Sequence, residues 1–408
     1  MNILYIAYSC SPYYGSEDKI GWNIPMVSGK TNKVFVITKE EHRQDIETYL
    51  SQHKIDNVYF YYVDIPSAYK KIFRGSFYSG RLNIWHKRAF PLAKEICKEK
   101  KIDIIHQITP VEFRSIGDYG KIPHIKFICG PLGGGEMLPE GLKAYAKGHK
   151  AVEGIRWITN IWHRSKIKLS GKLQRCDYIL FANYETKAFL KNTISKLTEQ
   201  DVTTEIAIDK SDLSKMSDVQ SSEKRKFRFL VAGRMIYRKG HDFLLDALKR
   251  IPEEADYECR IVGSGPELAR LEQICSDNLL SKHIVFTGNL PYSEMAKEYE
   301  NADVLIMPSL RETTGSVLLE GMAKGLPIVT INRFGGAILI EKEAGWLYEG
   351  NSKEEYLENL RIILQECIEN PDEVKRRGMN ARKNAELYIW ERKNTHYQSI
   401  YNQLIGKY

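Results

Sequence analysis

The chain has 408 residues, enough for two domains of ordinary size. A hydrophobic share of 43% and a charged share of 27% are those of a globular chain, and a net charge of +8 does not by itself call for nucleic acid, though it suits an anionic substrate or membrane face. Seven scattered cysteines with no Cys-x-x-Cys pair argue against a disulfide framework or a zinc site and point to a reducing cytosol.

The first residues, MNILYIAYSCSPYYGSED, lack a basic lead and a long apolar stretch, so they read as a strand and a loop rather than a signal peptide. Short apolar runs follow: VFVITK, NVYFYYV, IDIIHQI, IKFICG and DYILFAN in the first half, then FRFLVAG, ECRIVG, HIVFTG, DVLIMP and PIVTIN in the second. Most are continuous rather than alternating, as expected of strands covered on both faces of a parallel sheet. Helical patterns such as HDFLLDALKRI and PELARLEQICSDNLL lie between them. No window approaches 18 consecutive apolar residues, so no membrane span is expected.

This β-α-β alternation predicts an α/β chain of two doubly wound, Rossmann-like domains. Residues 209–226 are polar, without Gly or Pro, and read as a linker or long surface loop. The expected division is therefore 1–205 and 206–386. Residues 371–400 read as a helix-rich tail. Open α/β sheets bind ligands at the carboxyl ends of their strands. If the two edges face each other, the ligand lies in a central cleft.

Those strand ends carry the candidate chemistry. After the first strand, Gly15 and Ser16 allow close backbone approach to a phosphate, or form an ordinary strand-to-helix turn. After FRFLVAG, Gly233 and Gly240 flank Arg234 and Lys239. These two cations either decorate a solvated loop or hold an anion. After DVLIMPS comes LRETTGSVLLEGMAKGLPIV. There Glu312 and Glu320 bracket a helix start at Gly315 and Ser316, where free N–H groups suit a phosphate and the carboxylates suit sugar hydroxyls. GPLGGGEMLPEG, residues 130–141, reads as a mobile glycine-rich loop. His106 ends IDIIHQI, and a lone histidine there is as easily structural as catalytic.

Together these stretches resemble the retaining GT-B glycosyltransferases of glycosyltransferase family 4. The carriers are GRMIYRKG with its Arg-x4-Lys, ETTGSVLLE with its Glu-x7-Glu, the following GMAKGLPIV, VGSGPE and RFGGAILI. The likeness covers nearly all of residues 227–350 and is looser in the first half, through SPYYGSE and GPLGGGE. The resemblance implies two Rossmann-like domains facing across a cleft, with an acceptor-binding first domain and a donor-binding second domain. It also implies that a helix at 387–408 packs back on the first.

It further implies site roles. Arg234 and Lys239 bind the donor diphosphate, Glu320 holds ribose hydroxyls, and Glu312 faces the donor sugar. The backbone of Gly315, Ser316 and Val317 contacts phosphates and sugar. Asn289 and Leu290 line the base, and Gly15 and Ser16 close over the phosphates. His106 carries over weakly as a catalytic residue, because Ile108 stands two residues before Pro110 where many members have histidine. Thr313 and Thr314 replace part of a common Gly-x-Gly, which alters the surroundings of the donor sugar.

The implied reaction is metal-independent transfer of a hexose-type sugar, with retention, from a nucleotide diphospho-sugar, UDP preferred, to a saccharide acceptor. No resident cofactor is implied, and no Asp-x-Asp metal motif is present. Residues 70–90 hold six Lys/Arg and no acidic residue, and residues 143–175 hold nine Lys/Arg against Glu153, with Trp157 and Trp162. Such segments suit either an anionic leaflet or a solvated face over buried aromatics. A leaflet would fit a lipid-linked acceptor in surface-polysaccharide assembly, on the inner face of the cell membrane. A non-catalytic GT-B partner subunit is the main alternative. A dinucleotide oxidoreductase fits poorly, because GPLGGGE lacks Gly-x-Gly-x-x-Gly spacing. No nucleic-acid recognition motif appears.

Overall fold

The computed structural model describes residues 1–15, 17–72, 78–213, 225–278 and 280–406. The chain divides into two compact units. The first comprises Met1–Gly135, Arg156–Ala207 and Trp390–Tyr408. The second comprises Glu136–Ile155 and Ile208–Ile389.

The first unit holds seven strands: β1 (Asn2–Ala7), β2 (Lys33–Lys39), β3 (Val58–Val63), β4 (Ile104–Thr109), β5 (Lys126–Leu132), β6 (Tyr178–Phe181) and β7 (Glu199–Val202). They form one sheet in the order β3-β2-β1-β4-β5-β6-β7, with every pairing parallel. Side chains of a strand point alternately to its two faces. Ile3, Tyr5 and Ala7 of β1 accordingly enter one core with Trp390, Tyr397 and Tyr401, while Leu4 and Ile6 enter another with Trp85 and Phe127. Two covered faces explain why the run is apolar without a break.

The second unit holds β8 (Phe227–Ala232), β9 (Tyr257–Val262), β10 (Ile284–Gly288), β11 (Val304–Met307), β12 (Ile328–Ile331) and β13 (Gly345–Tyr348). Their order is β10-β9-β8-β11-β12-β13, again all parallel. The direction of winding reverses between β8 and β11, and in the first sheet between β1 and β4. Loops leaving such neighbouring strands diverge to opposite faces, which opens a crevice at the carboxyl edge.

The edge strands β7 and β13 were not foreseen: EQDV is polar, and GWLY is only four residues long. Residues 136–155 group with the second unit rather than the first, because Leu138, Leu142 and Ala146 enter its core and Tyr145 donates to Asp246 at 2.9 Å. Of the polar stretch 209–226, residues 214–224 lie outside the described residues, as do residues 73–77 of the basic stretch 70–90. The helix Trp390–Leu404 belongs to the first unit, where it packs on the helix Glu17–Ser28.

Candidate functional site

In the second unit the site is built by the loops after β8 and β11. Beyond β8 the chain makes a short turn at Tyr237–Lys239, and Gly240 follows with φ of 73°. A Cβ there would stand 2.0 Å from the Pro308 carbonyl oxygen, so only glycine lets this loop lie against the one after β11. The Leu310 N–H donates to the Arg238 carbonyl at 2.9 Å and fixes the two loops in register.

That register places Arg238 and Lys239 against Glu312. The Lys239 ammonium donates to Glu312 Oε2, and Arg238 Nη1 lies 3.4 Å from the same oxygen. Burial pushes the Glu312 carboxyl up. Lys239, Arg238 and the Thr313 N–H together outweigh burial and hold it below its ordinary value. Glu312 is thus an ionised acceptor at neutral pH.

Beside it Arg311, which is buried, pairs with Glu153. Glu153 also accepts from the Tyr237 hydroxyl, and Tyr237 stacks on His149 at 3.9 Å. Glu153 therefore braces both loops from a point more than eighty residues upstream of Tyr237.

The helix Ser316–Ala323 starts at Gly315, whose φ of 93° and Cβ position 2.7 Å from Met307 Sδ suit only glycine. The first N–H groups of that helix, Ser316 and Val317, have no intrahelical acceptor. Glu320, exposed on the same helix, accepts from the Tyr299 hydroxyl at 2.8 Å. Gly233 lies 3.9 Å, at its Cβ position, from Lys239 Cε.

Arg234 is exposed and makes no side-chain hydrogen bond or ion pair among the described residues, so Arg238, which sequence reasoning passed over, is the arginine beside Glu312. Asn289 is exposed and Leu290 half-buried, just past the edge strand β10 and two strands from β8.

In the first unit the corresponding reversal lies between β1 and β4. Gly15 is exposed with open space about its Cβ position, and Ser16 lies outside the described residues. Glu17 opens the next helix and accepts from the Val111 N–H at 2.9 Å. Burial raises its carboxyl to about 7, helped by Glu112, Glu205 and Asp18 and opposed by the Val111 bond. Glu112 is likewise raised by burial, against the pull of Arg114 at 3.1 Å.

His106 is no catalytic group. It has no accessible surface, and both ring nitrogens are engaged, with the Tyr401 hydroxyl and with the Gly130 carbonyl. Burial lowers it to about 3.

The glycine-rich stretch is not a free loop either. The Phe113 N–H donates to the Gly133 carbonyl, Asn160 and Arg156 donate to that of Gly134, and the Gly135 N–H donates to Thr186. Among the described residues there is no group of three His, Cys, Asp or Glu arranged to hold a metal.

Residues 214–384 match the family described as Glycosyl transferases group 1. An uncharacterized glycosyltransferase of Methanocaldococcus jannaschii is 35% identical over 135 residues, which is 33% of this chain and 34% of that protein. A GDP-mannose-dependent alpha-(1-6)-phosphatidylinositol monomannoside mannosyltransferase of Mycolicibacterium smegmatis is 35% identical over 130 residues, 29% of this chain and 33% of that protein. The chain thus spans about a third of the length of these two relatives. The sucrose-phosphate synthase of Thermosynechococcus elongatus shares the fold over 100% of both chains, with a TM-score of 0.66 at 17% identity. The paired cations and carboxylate at the β8/β11 reversal lie within residues 214–384, the part of the chain that is similar to the Glycosyl transferases group 1 family.

Proposed function

We propose that the chain is a glycosyltransferase that moves a hexose-type sugar, with retention, from a nucleotide diphospho-sugar to a saccharide acceptor. One observation carries this reading: Lys239 and Arg238 hold the ionised Glu312 beside the start of the helix Ser316–Ala323, at the β8/β11 reversal. A leaving diphosphate develops negative charge, and preorganised donors stabilise it. Lys239 has three N–H donors, so it serves Glu312 and a phosphate oxygen together. The exposed Arg234 offers a second, uncommitted fork. These charges, with the Ser316 and Val317 N–H groups, do the work a metal would do elsewhere, so the reaction is proposed to be metal-independent. Glu312, already ionised, accepts hydroxyls of the donor sugar, and Glu320 those of the ribose. Asn289 and Leu290 are proposed to line the base.

UDP is the proposed nucleotide. The name of the Mycolicibacterium relative favours GDP as a second reading. The test is nucleotide release from UDP-, GDP- and ADP-sugars by the full chain in EDTA. Release from one donor that is lost in Lys239→Ala supports the proposal and names the sugar. No release from any donor, with no thermal shift by any nucleotide, overturns it in favour of a non-catalytic partner subunit.

A further inference from the structure

The helix Lys150–Ser170 has a buried side and, roughly opposite, an exposed apolar one. Its inner side carries Asn160, His163 and Ile167, all buried. Its outer side carries Ile158, Trp162 and Leu169, exposed to 60%, 56% and 89%. At 3.6 residues per turn these three positions fall on one narrow stripe, roughly opposite the buried one. An apolar stripe that faces solvent adds nothing to the core, and exposed apolar surface of this kind marks an interaction site.

The charge around the stripe says what covers it. Lys166 Nζ lies 4.9 Å over the Trp162 ring, and Lys168 is exposed on the same stretch. Of the nine Lys/Arg in residues 143–175, Lys143 and Arg175 pair with Glu140 and Asp118, and Arg156 and Lys172 donate to backbone carbonyls, while Lys166 and Lys168 stay exposed near the stripe; the one acidic residue, Glu153, is paired with Arg311. A second copy of the chain would meet the same positive charge head-on. An anionic bilayer would not: Trp and aliphatic side chains enter the interfacial layer while lysines reach phosphate headgroups from its edge. Among the described residues no helix is long and apolar enough to cross a membrane.

We propose that the outer face of this helix, centred on Ile158, Trp162 and Leu169, docks the protein flat on an anionic lipid leaflet. The proposal needs no donor and no turnover, so it stands or falls apart from the transferase reading.

The test is co-sedimentation of the full chain with vesicles of phosphatidylcholine alone and of phosphatidylcholine mixed with phosphatidylglycerol. Binding is expected to rise at least about tenfold with phosphatidylglycerol. It should fall to background in Ile158→Glu/Trp162→Glu, whose exposed positions leave the fold and thermal transition intact. Lys166→Glu/Lys168→Glu should weaken binding to the mixed vesicles and do nothing to the pure ones. Equal sedimentation of wild type and Ile158→Glu/Trp162→Glu would overturn the proposal. So would a concentration-dependent dimer in size-exclusion chromatography that this double variant abolishes, which would make the face a self-interface.

Discussion

His106 Nδ1 and the Tyr401 hydroxyl lie 2.7 Å apart, joining β4 to a helix nearly three hundred residues later. The direction of the bond follows from its neighbours. The Gly130 carbonyl, 2.9 Å from Nε2, can only accept, so Nε2 carries the proton and Nδ1 accepts from Tyr401. The Tyr401 oxygen in turn accepts from the Tyr5 hydroxyl at 3.0 Å. Tyr401→Phe leaves Nδ1 buried without a donor, which should cost about 1–3 kcal/mol. Thermal denaturation should show it, while nucleotide release per folded molecule stays unchanged.

The same histidine makes stability pH-dependent. Its folded value, about 3, lies below the ordinary 6.5, so the unfolded chain binds the extra proton. Its contribution is complete above the ordinary value and is lost as pH falls towards 3. Denaturant titrations between pH 7 and 4 should give a midpoint that declines, and His106→Gln should flatten that decline.

At the donor loops, Lys239→Ala should lower turnover on the order of 100-fold. Arg238→Gln should act differently. Removing one of the two cations that hold Glu312 down raises its carboxyl towards the ordinary value. The acid limb of the rate profile should then move to higher pH, with a smaller loss at neutrality. A pH profile unchanged from wild type would deny Arg238 that influence.

Two glycines separate backbone strain from crowding. Gly288 has φ of 70° with nothing within 4 Å of its Cβ position, so Gly288→Ala should cost about 1–2 kcal/mol and still fold. Gly240 has nearly the same φ but meets the Pro308 carbonyl, so Gly240→Ala should part the two loops and abolish turnover. Comparing soluble yield and activity of the two variants reads the difference.

Glu153 should behave as a positioning residue. Glu153→Gln and Arg311→Gln should each lower kcat, and in a double-mutant cycle their effects should couple by about 0.5–3 kcal/mol. Additive losses would mean the pair does not act as one brace.

The strands were legible wherever both faces are covered, because burial on both sides writes an unbroken apolar run. β7 and β13 left no such mark, being short edge strands with one neighbour each. Lys239 and Glu312 stood out because each follows a strand, but their pairing with each other joins two loops far apart in sequence and was not foreseen. Arg238 escaped because adjacent basic residues cannot be ranked until the Leu310–Arg238 backbone bond sets which one faces the carboxylate. Glu153 escaped because its partners lie in distant loops. His106 read ambiguously because a strand end and a core contact look alike in one dimension.

The return of the helix Trp390–Leu404 to the first unit has a consequence for synthesis. Ile3, Tyr5, Ile20 and Ile24 share a core with Trp390, Tyr397, Ile400 and Tyr401. When the ribosome has delivered residues 1–207, that face of the first sheet still lacks its cover. All the pieces of the second unit have emerged by residue 389. The half of the protein that is translated first is therefore the half that can be finished only last, and until then it presents a bare apolar face to whatever chaperone the cell provides.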